Sequence, residues 1–275
     1  TLDRSSAASD VYKRQTILTP IRVSARYKPK FGQGLGNGYN LEQFRVLYQA
    51  DPFYSWFGLD NPLMYAAHKA AGGMTSVYRQ IGIGCEHVFR QVLTDALGIS
   101  VQAARWSYEV TGANNKARML HLDGRVPVAE IPDPVAQARF QDWMKQAAGG
   151  VGVTDAVFGA LTGTIFEVRQ GYKSKDSKRQ NADIANAATA YVKGYLPCAV
   201  ILSTQIDGDI LSRYRGEKWS VLTGLVGLND PLRSTYDFMR DIVGYDLAGF
   251  FTRNSQTLRT EIDNVLRALL TPDAP

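Results

Sequence analysis

Two short runs, Thr164 to Val168 (TIFEV) and Leu196 to Thr204 (LPCAVILST), constrain this chain more than any other part of it. The first is β-branched or aromatic at four of its five positions, which favours a strand over a helix. The second is nearly continuous in apolar residues, as a strand buried on both faces of a sheet would be. Between them, Ser177 to Lys193 reads as a helix. A strand, a helix and a buried strand in succession need a sheet with helices packed on it.

The flanking elements fit that frame. Asp60-Asn61-Pro62 has the chemistry of a helix start, and helical sequence follows from about Leu63 to Leu97, with kinks expected at Gly72-Gly73 and at Gly82 and Gly84. Trp106 to Thr111 and Ala117 to Val126 read as strands of a hairpin turning at Gly112 to Lys116. Pro134 to Ala148 reads as an amphipathic helix with Val135, Ala138, Phe140 and Trp143 on its apolar face. Ser234 to Phe251 and Gln256 to Leu270 close the chain as two further helices. The expected class is α/β, a mixed central β-sheet flanked by helices, with helical additions at the N- and C-terminal ends.

The first strand also carries chemistry. Side chains alternate along a strand, so Glu167, Arg169, Gly171 and Lys173 share one face, while Phe166, Val168 and Gln170 take the other. A carboxylate beside a cation two residues on can hold a hard divalent ion while the cation meets a phosphate oxygen. From Arg169 to Arg179 there are five Lys and Arg against the single Asp176. Such a density suits a polyanion. Four of the cations fall near the start of the next helix, a placement that opposes the helix dipole unless a phosphate binds there. The bland reading is a salt bridge between Glu167 and Arg169 or Lys173, followed by a solvated charged loop.

The order of elements, together with the run EVRQGYKSKDSKRQNAD, resembles the PD-(D/E)XK nuclease core and, within it, type II restriction endonucleases. The resemblance covers roughly Gly82 to Thr204, and its most specific part is about twenty residues long. It implies a restriction-endonuclease-like core over about residues 82–204, within a single nuclease domain over residues 16–275. It also implies a Mg²⁺ ion held by an acid near the end of the second core strand and by a second acid two residues before a lysine on the third. Glu167 matches the second acid, and Arg169 stands where the lysine is expected. Arginine is a poor proton acceptor, so it would stabilise charge instead of acting as a base. Lys173, about 13 Å along the strand at about 3.3 Å per residue, takes the lysine role if the strand bends at Gly171. The first acid is Asp123 in LHLDGR or Asp155 in VTDAVF, and Asp123 is preferred because Thr154-Asp155 reads as a helix start. Asp123-Gly124 as a plain turn dipeptide stays open. Glu86, in GIGCEHVFR, resembles the extra helical acid that many such nucleases turn toward the metal.

The expected function is therefore a Mg²⁺-dependent endonuclease of duplex DNA, most simply a site-specific restriction enzyme acting as a homodimer. Its catalytic residues would be Asp123, Glu167, Arg169 and Lys173, with phosphate contacts from Lys173, Lys175, Lys178 and Arg179. A structure-selective or repair nuclease on the same core, and a non-catalytic DNA-binding protein with a decayed site, are the rivals.

The remaining features narrow the alternatives. Cys85 and Cys198 lie far apart with no CxxC pairing, which indicates neither a disulfide framework nor a zinc site, and a reducing cytoplasm is the expected compartment. No run approaches the length of a membrane span. Lys28 to Tyr39 (KPKFGQGLGNGY) is loop-like but lacks the GK[ST] of a phosphate-cradling loop. His68, His87 and His121 fall at no metal-ligand spacing, although Glu86-His87 and Asp123 are candidates to meet in space. Asp51 to Gly58 (DPFYSWFG) reads as a loop anchored to the core, with base stacking as the sharper alternative. Asp207 and Asp209 read as a turn. Ser5 to Gln15 resembles the translated end of a transposase-type sequencing adapter, so residues 1–15 are expected to be a disordered tail; without them the net charge of +5 becomes +4.

Overall fold

The structure, a computed structural model, describes residues 2–31, 36–111, 117–171 and 186–271. Where the sequence reads as one domain over residues 16–275, the chain divides into two compact units, residues 1–84 with 253–275 and residues 85–252.

The first unit is helical. It contains α1 (Leu2–Val23), α2 (Leu41–Gln49), α3 (Pro52–Trp56), residues 62–84 of α4 (Pro62–Leu97) and residues 253–270 of the last helix. The expectation of a disordered tail over residues 1–15 is corrected: the backbone is helical from Leu2, and Asp10 accepts from Arg253 at 2.8 Å. Asn40 begins α2 with a capping box, its side chain accepting from the Gln43 N–H while the Gln43 side chain accepts from the Asn40 N–H. Asn61 begins α4 by accepting from the Met64 N–H at 3.0 Å, as Asp60-Asn61-Pro62 led one to expect. The glycines do not interrupt the helix, and α4 runs for 36 residues. The glycines serve close approach instead: a Cβ at Gly72 would strike the Tyr27 ring, one at Gly73 the Leu269 side chain, and one at Gly84 the Ile17 backbone. Asp51 to Gly58 meets the core through Tyr54, which stacks on the buried Tyr48 at 4.8 Å. Pro52–Trp56 is a short helix capped by Asp51, and Phe53, Trp56 and Phe57 stand exposed.

The second unit is α/β. Its four-stranded sheet has the order β3 (Gly124–Pro127), β4 (Gly163–Arg169), β5 (Tyr195–Ile201), β6 (Ser220–Leu222). The β3 and β4 strands are antiparallel, whereas β4, β5 and β6 run parallel. The sheet is therefore mixed, and helices lie on both faces. On one face Ile165, Ala199, Ile201 and Val221 pack with Ala187 and Ala190 of the helical residues 186–192, and with Ile210 and Tyr214 of α7 (Gly208–Gly216). On the other, Phe166 meets Phe89 of α4 at 5.2 Å and Phe238 at 5.8 Å between ring centroids, and Trp143 of α5 (Pro134–Gly150) meets Phe238 at 4.5 Å. Along α5 the buried apolar face is Ala136, Phe140, Trp143 and Met144, while Val135 is exposed.

The predicted strand from Ala117 to Val126 is two strands. Residues of β2 (Ala117–Leu122) pair with β1 (Trp106–Thr111) in a separate two-stranded sheet, and after Asp123 the chain changes partner to β4. The predicted helix from Ser234 to Phe251 breaks at Gly244, whose φ of 91° favours glycine, and α8 (Leu247–Leu270) then runs through the expected break before Gln256. Asp207 is the N-cap of α7, a helix that the reading as a simple turn omits. The predicted helix from Ser177 lies in part outside the described residues.

Candidate active site

The break between β2 and β3 positions Asp123. Its N–H donates to the Phe166 carbonyl at 3.0 Å, its Oδ2 accepts from the Val168 N–H at 2.8 Å, and its own carbonyl accepts from Arg90 Nε at 2.8 Å. Gly124 is the end of the β3–β4 register, opposite Phe166, and Asp123 lies at the bend just before it. Its backbone and carboxylate bonds fall on Phe166 and Val168, the two neighbours of Glu167 on β4. The two acids that the sequence singles out are thus brought to the same stretch of β4.

Glu167 is almost fully buried, at 5% exposure, and its carboxylate forms an ion pair with Arg169, the neighbour two residues along the same strand face. The alternation expected along this strand therefore holds, with Phe166 turned to the aromatic cluster of the opposite face. A buried carboxylate is costly unless a cation compensates it, and Arg169 supplies that cation.

The third participant is α4. Burial first, and then the field of Glu86, push the Asp123 carboxyl up to about 6, against the lowering influence of the Val168 N–H and of Arg169 and Arg90. Glu86 is thus close enough to act on Asp123. His87 is held below its usual value by burial and by Arg90, with Asp123 acting in the other direction. Arg90 is the residue that the sequence reading leaves out. It lies four residues after Glu86 on one helix, a spacing that places both on the same side.

The other candidates are located as follows. Asp155 is exposed in the first turn of α6 (Asp155–Phe158), which Thr154 caps, so it takes no part in the Asp123 and Glu167 arrangement. Gly171 comes after the end of β4, and a Cβ there would strike the Ser203 hydroxyl. Lys173, Lys175, Lys178 and Arg179 lie outside the described residues. Cys85 and Cys198 are buried and unpaired by disulfide, and burial raises both thiols to about 12, as small core residues rather than nucleophiles would have it.

Among the described residues, no three His, Cys, Asp or Glu side chains converge as a ready-made metal cage. Magnesium does not require one, because it binds through one or two carboxylates and retains several waters. Asp123, at the bend before β3 and raised by burial and then by Glu86, and Glu167 on β4 are a donor set that fits a hydrated divalent ion. Among the described residues no helix is long and apolar enough to cross a membrane. Searches of known family models, of curated proteins and of solved structures find no match to this chain.

Proposed function

We propose that this chain is a Mg²⁺-dependent endonuclease of duplex DNA, most simply a type II restriction enzyme. The observation that carries the reading is that Asp123 bonds to the residues on either side of Glu167, with Arg169 paired to Glu167 and Glu86 acting on Asp123. The mixed sheet, in which β4 is antiparallel to one neighbour and parallel to the other, supports it as the frame that the family resemblance calls for.

Asp123 and Glu167 would hold the ion. When bound, Mg²⁺ lowers the pKa of a coordinated water and stabilises charge developing on the phosphodiester. Arg169 remains charged at any working pH, so its part is to neutralise a phosphate oxygen and not to take a proton. Arg90 fixes the Asp123 backbone through its carbonyl, while the Val168 N–H holds the carboxylate beside Glu167. A homodimer acting on a two-fold-symmetric site belongs to the same proposal.

Incubation of the purified protein with unmethylated phage DNA at pH 8, with Mg²⁺ or with EDTA, tests this. Discrete fragments that require Mg²⁺, and that disappear in Glu167→Ala while DNA retention persists, are the expected result. A second reading draws on one observation: Arg169 stands in place of the lysine and neutralises Glu167 directly. A DNA-binding protein with a decayed site would look the same, and it would retain DNA without cutting it under any divalent metal.

A further inference from the structure

The net charge of the chain is distributed unevenly. Residues 85–252 hold 18 Lys and Arg and 18 Asp and Glu, whereas residues 1–84 with 253–275 hold 13 against 8. The whole excess of +5 therefore belongs to the helical unit, even though the basic run after Arg169 lies in the other. Within the helical unit Arg26, Lys28, Lys30 and Arg45 are exposed, and none makes an ion pair among the described residues.

The same unit exposes aromatic rings. Trp56 is 81% exposed, Phe57 68% and Phe53 58%. At roughly 150–250 Å² for a full aromatic side chain, these rings present an apolar surface of several hundred Å², in the range where a patch on a soluble protein calls for a partner. The rings are linked to the basic segment. Phe31, which follows Lys30, lies 5.5 Å from Tyr48; Tyr48 stacks on Tyr54 at 4.8 Å and 20°; and Phe53 lies 5.9 Å from Tyr54 and 5.1 Å from Phe57. A series of ring contacts therefore joins Phe31, next to Lys30, to Phe57 through the buried Tyr48, and Trp56 lies beside Phe57 in the same short helical segment.

We infer that this helical unit binds single-stranded nucleic acid, with bases stacked on Trp56 and Phe57 and phosphates met by Lys28, Lys30 and Arg45. Exposed ring faces in a unit that also exposes an excess of cations are what sequence-tolerant strand binding needs, because every base has a π-face and every linkage a charge. Two other occupants fit less well. A second copy would bring Lys28, Lys30 and Arg45 toward their own images, and like charges across an interface oppose association. An anionic lipid surface would meet the cations, but a helix of five residues is too short to lay an amphipathic face into it. Asp51 is engaged as the α3 cap through the Phe53 N–H, which keeps the negative charge at one end of the aromatic run. The inference does not depend on cleavage by the other unit.

Trp56 provides its own probe. Trp106, Trp143 and Trp219 are buried, so a strand stacking on this surface should quench the solvent-exposed part of the tryptophan emission. The full chain is titrated with a short oligo(dT) strand in EDTA, which separates binding from any cutting. Quenching is expected, and Trp56→Ala should weaken binding of a labelled strand by roughly 5- to 150-fold. Trp56→Phe should restore the affinity without the signal. Lys28→Ala with Lys30→Ala should lower the salt slope of binding by about 0.7 for each phosphate that is no longer neutralised. Unchanged emission, or equal affinity in Trp56→Ala, overturns the inference; so does a Trp56-dependent dimer in sedimentation, or Trp56-dependent binding to anionic vesicles, when oligo(dT) has no effect. Quenching without any Mg²⁺-dependent cutting leaves this inference standing and removes the endonuclease reading, and the converse pair of results does the reverse.

Discussion

The sheet around Asp123 and the helix around Trp56 each hold side chains where folding alone would not choose them, and the two costs differ in kind. At the sheet, carboxylates are drawn in from water and must be compensated by Arg169, Arg90 and the Val168 N–H. At the helix, the rings of Trp56, Phe57 and Phe53 are left largely in water. The first cost is electrostatic: it titrates, responds to cations and depends on specific partners. The second is apolar, indifferent to pH, and relieved only by contact. A single physical test, removal of the side chain, should therefore destabilise the sheet region and leave the helix region almost untouched.

The largest effect is expected at the buried ion pair. Arg169→Ala leaves Glu167 at 5% exposure without the guanidinium that neutralises it, and loss of one partner of such a pair costs about 3–5 kcal/mol. Urea unfolding measures this, with the midpoint shifting at unchanged slope. The double variant Glu167→Gln with Arg169→Met removes the charge and the counter-charge together, and should recover most of the loss. A small effect in Arg169→Ala alone would mean that Glu167 is not compensated mainly by this arginine.

Asp123→Asn should act in the opposite direction. The Asp123 carboxyl is raised from 3.8 to about 6 in the folded chain, so the folded form binds its proton first. Stability is therefore gained as the pH falls through the window from about 6 to about 4, and lost as it rises through that window. Above about pH 6 the charged Asp123 carries a constant cost, and an isosteric amide that cannot ionise avoids it. Asp123→Asn is expected to be more stable than the parent by about 2 kcal/mol at pH 8, with the difference vanishing below about pH 4. Millimolar Mg²⁺ should stabilise the parent at pH 8 and not the variant. A difference that does not change with pH would place the cost elsewhere than in the carboxylate.

A smaller loss, about 1 kcal/mol, is expected for Asn40→Ala, which removes the acceptor of the Gln43 N–H in the capping box at α2 and leaves the Gln43 side chain on the backbone N–H of residue 40. This site also marks how far the sequence could be read. Elements with a strong period or a clear end were legible: β1, β4, β5 and the start of α4 at Asn61 all follow from residue chemistry. Asp123 and Glu167 are candidates from the acid and cation spacing on β4 and from the family resemblance. The bonds of Asp123 to Phe166 and Val168 are not legible, because they depend on which strand β3 takes as partner, and the change of sheet at Asp123 has no local sequence signal. The glycines of α4 show a related limit. Gly72 looks like a helix breaker in isolation and is a contact surface only once Tyr27 lies against it. The role of Arg90 needed the fold as well, since its contact is with a backbone carbonyl 33 residues away.

The smallest effect is the most discriminating. Trp56 is 81% exposed, so its ring surrenders little burial when it is removed, and Trp56→Ala should change stability by no more than about 0.5 kcal/mol. It sits at the last position of a five-residue helix whose Asp51 cap it does not touch, so the local backbone gives no reason for a larger loss. If urea unfolding instead reports a loss of about 2 kcal/mol or more, on the scale of a buried aromatic, then Trp56 is covered in solution and the contrast between the two regions collapses. If the loss depends on protein concentration, the cover is a second copy, because only association makes apparent stability depend on concentration. A negligible loss together with weakened strand binding would separate the two regions cleanly, with partners within the fold neutralising Glu167 and a partner outside it covering Trp56.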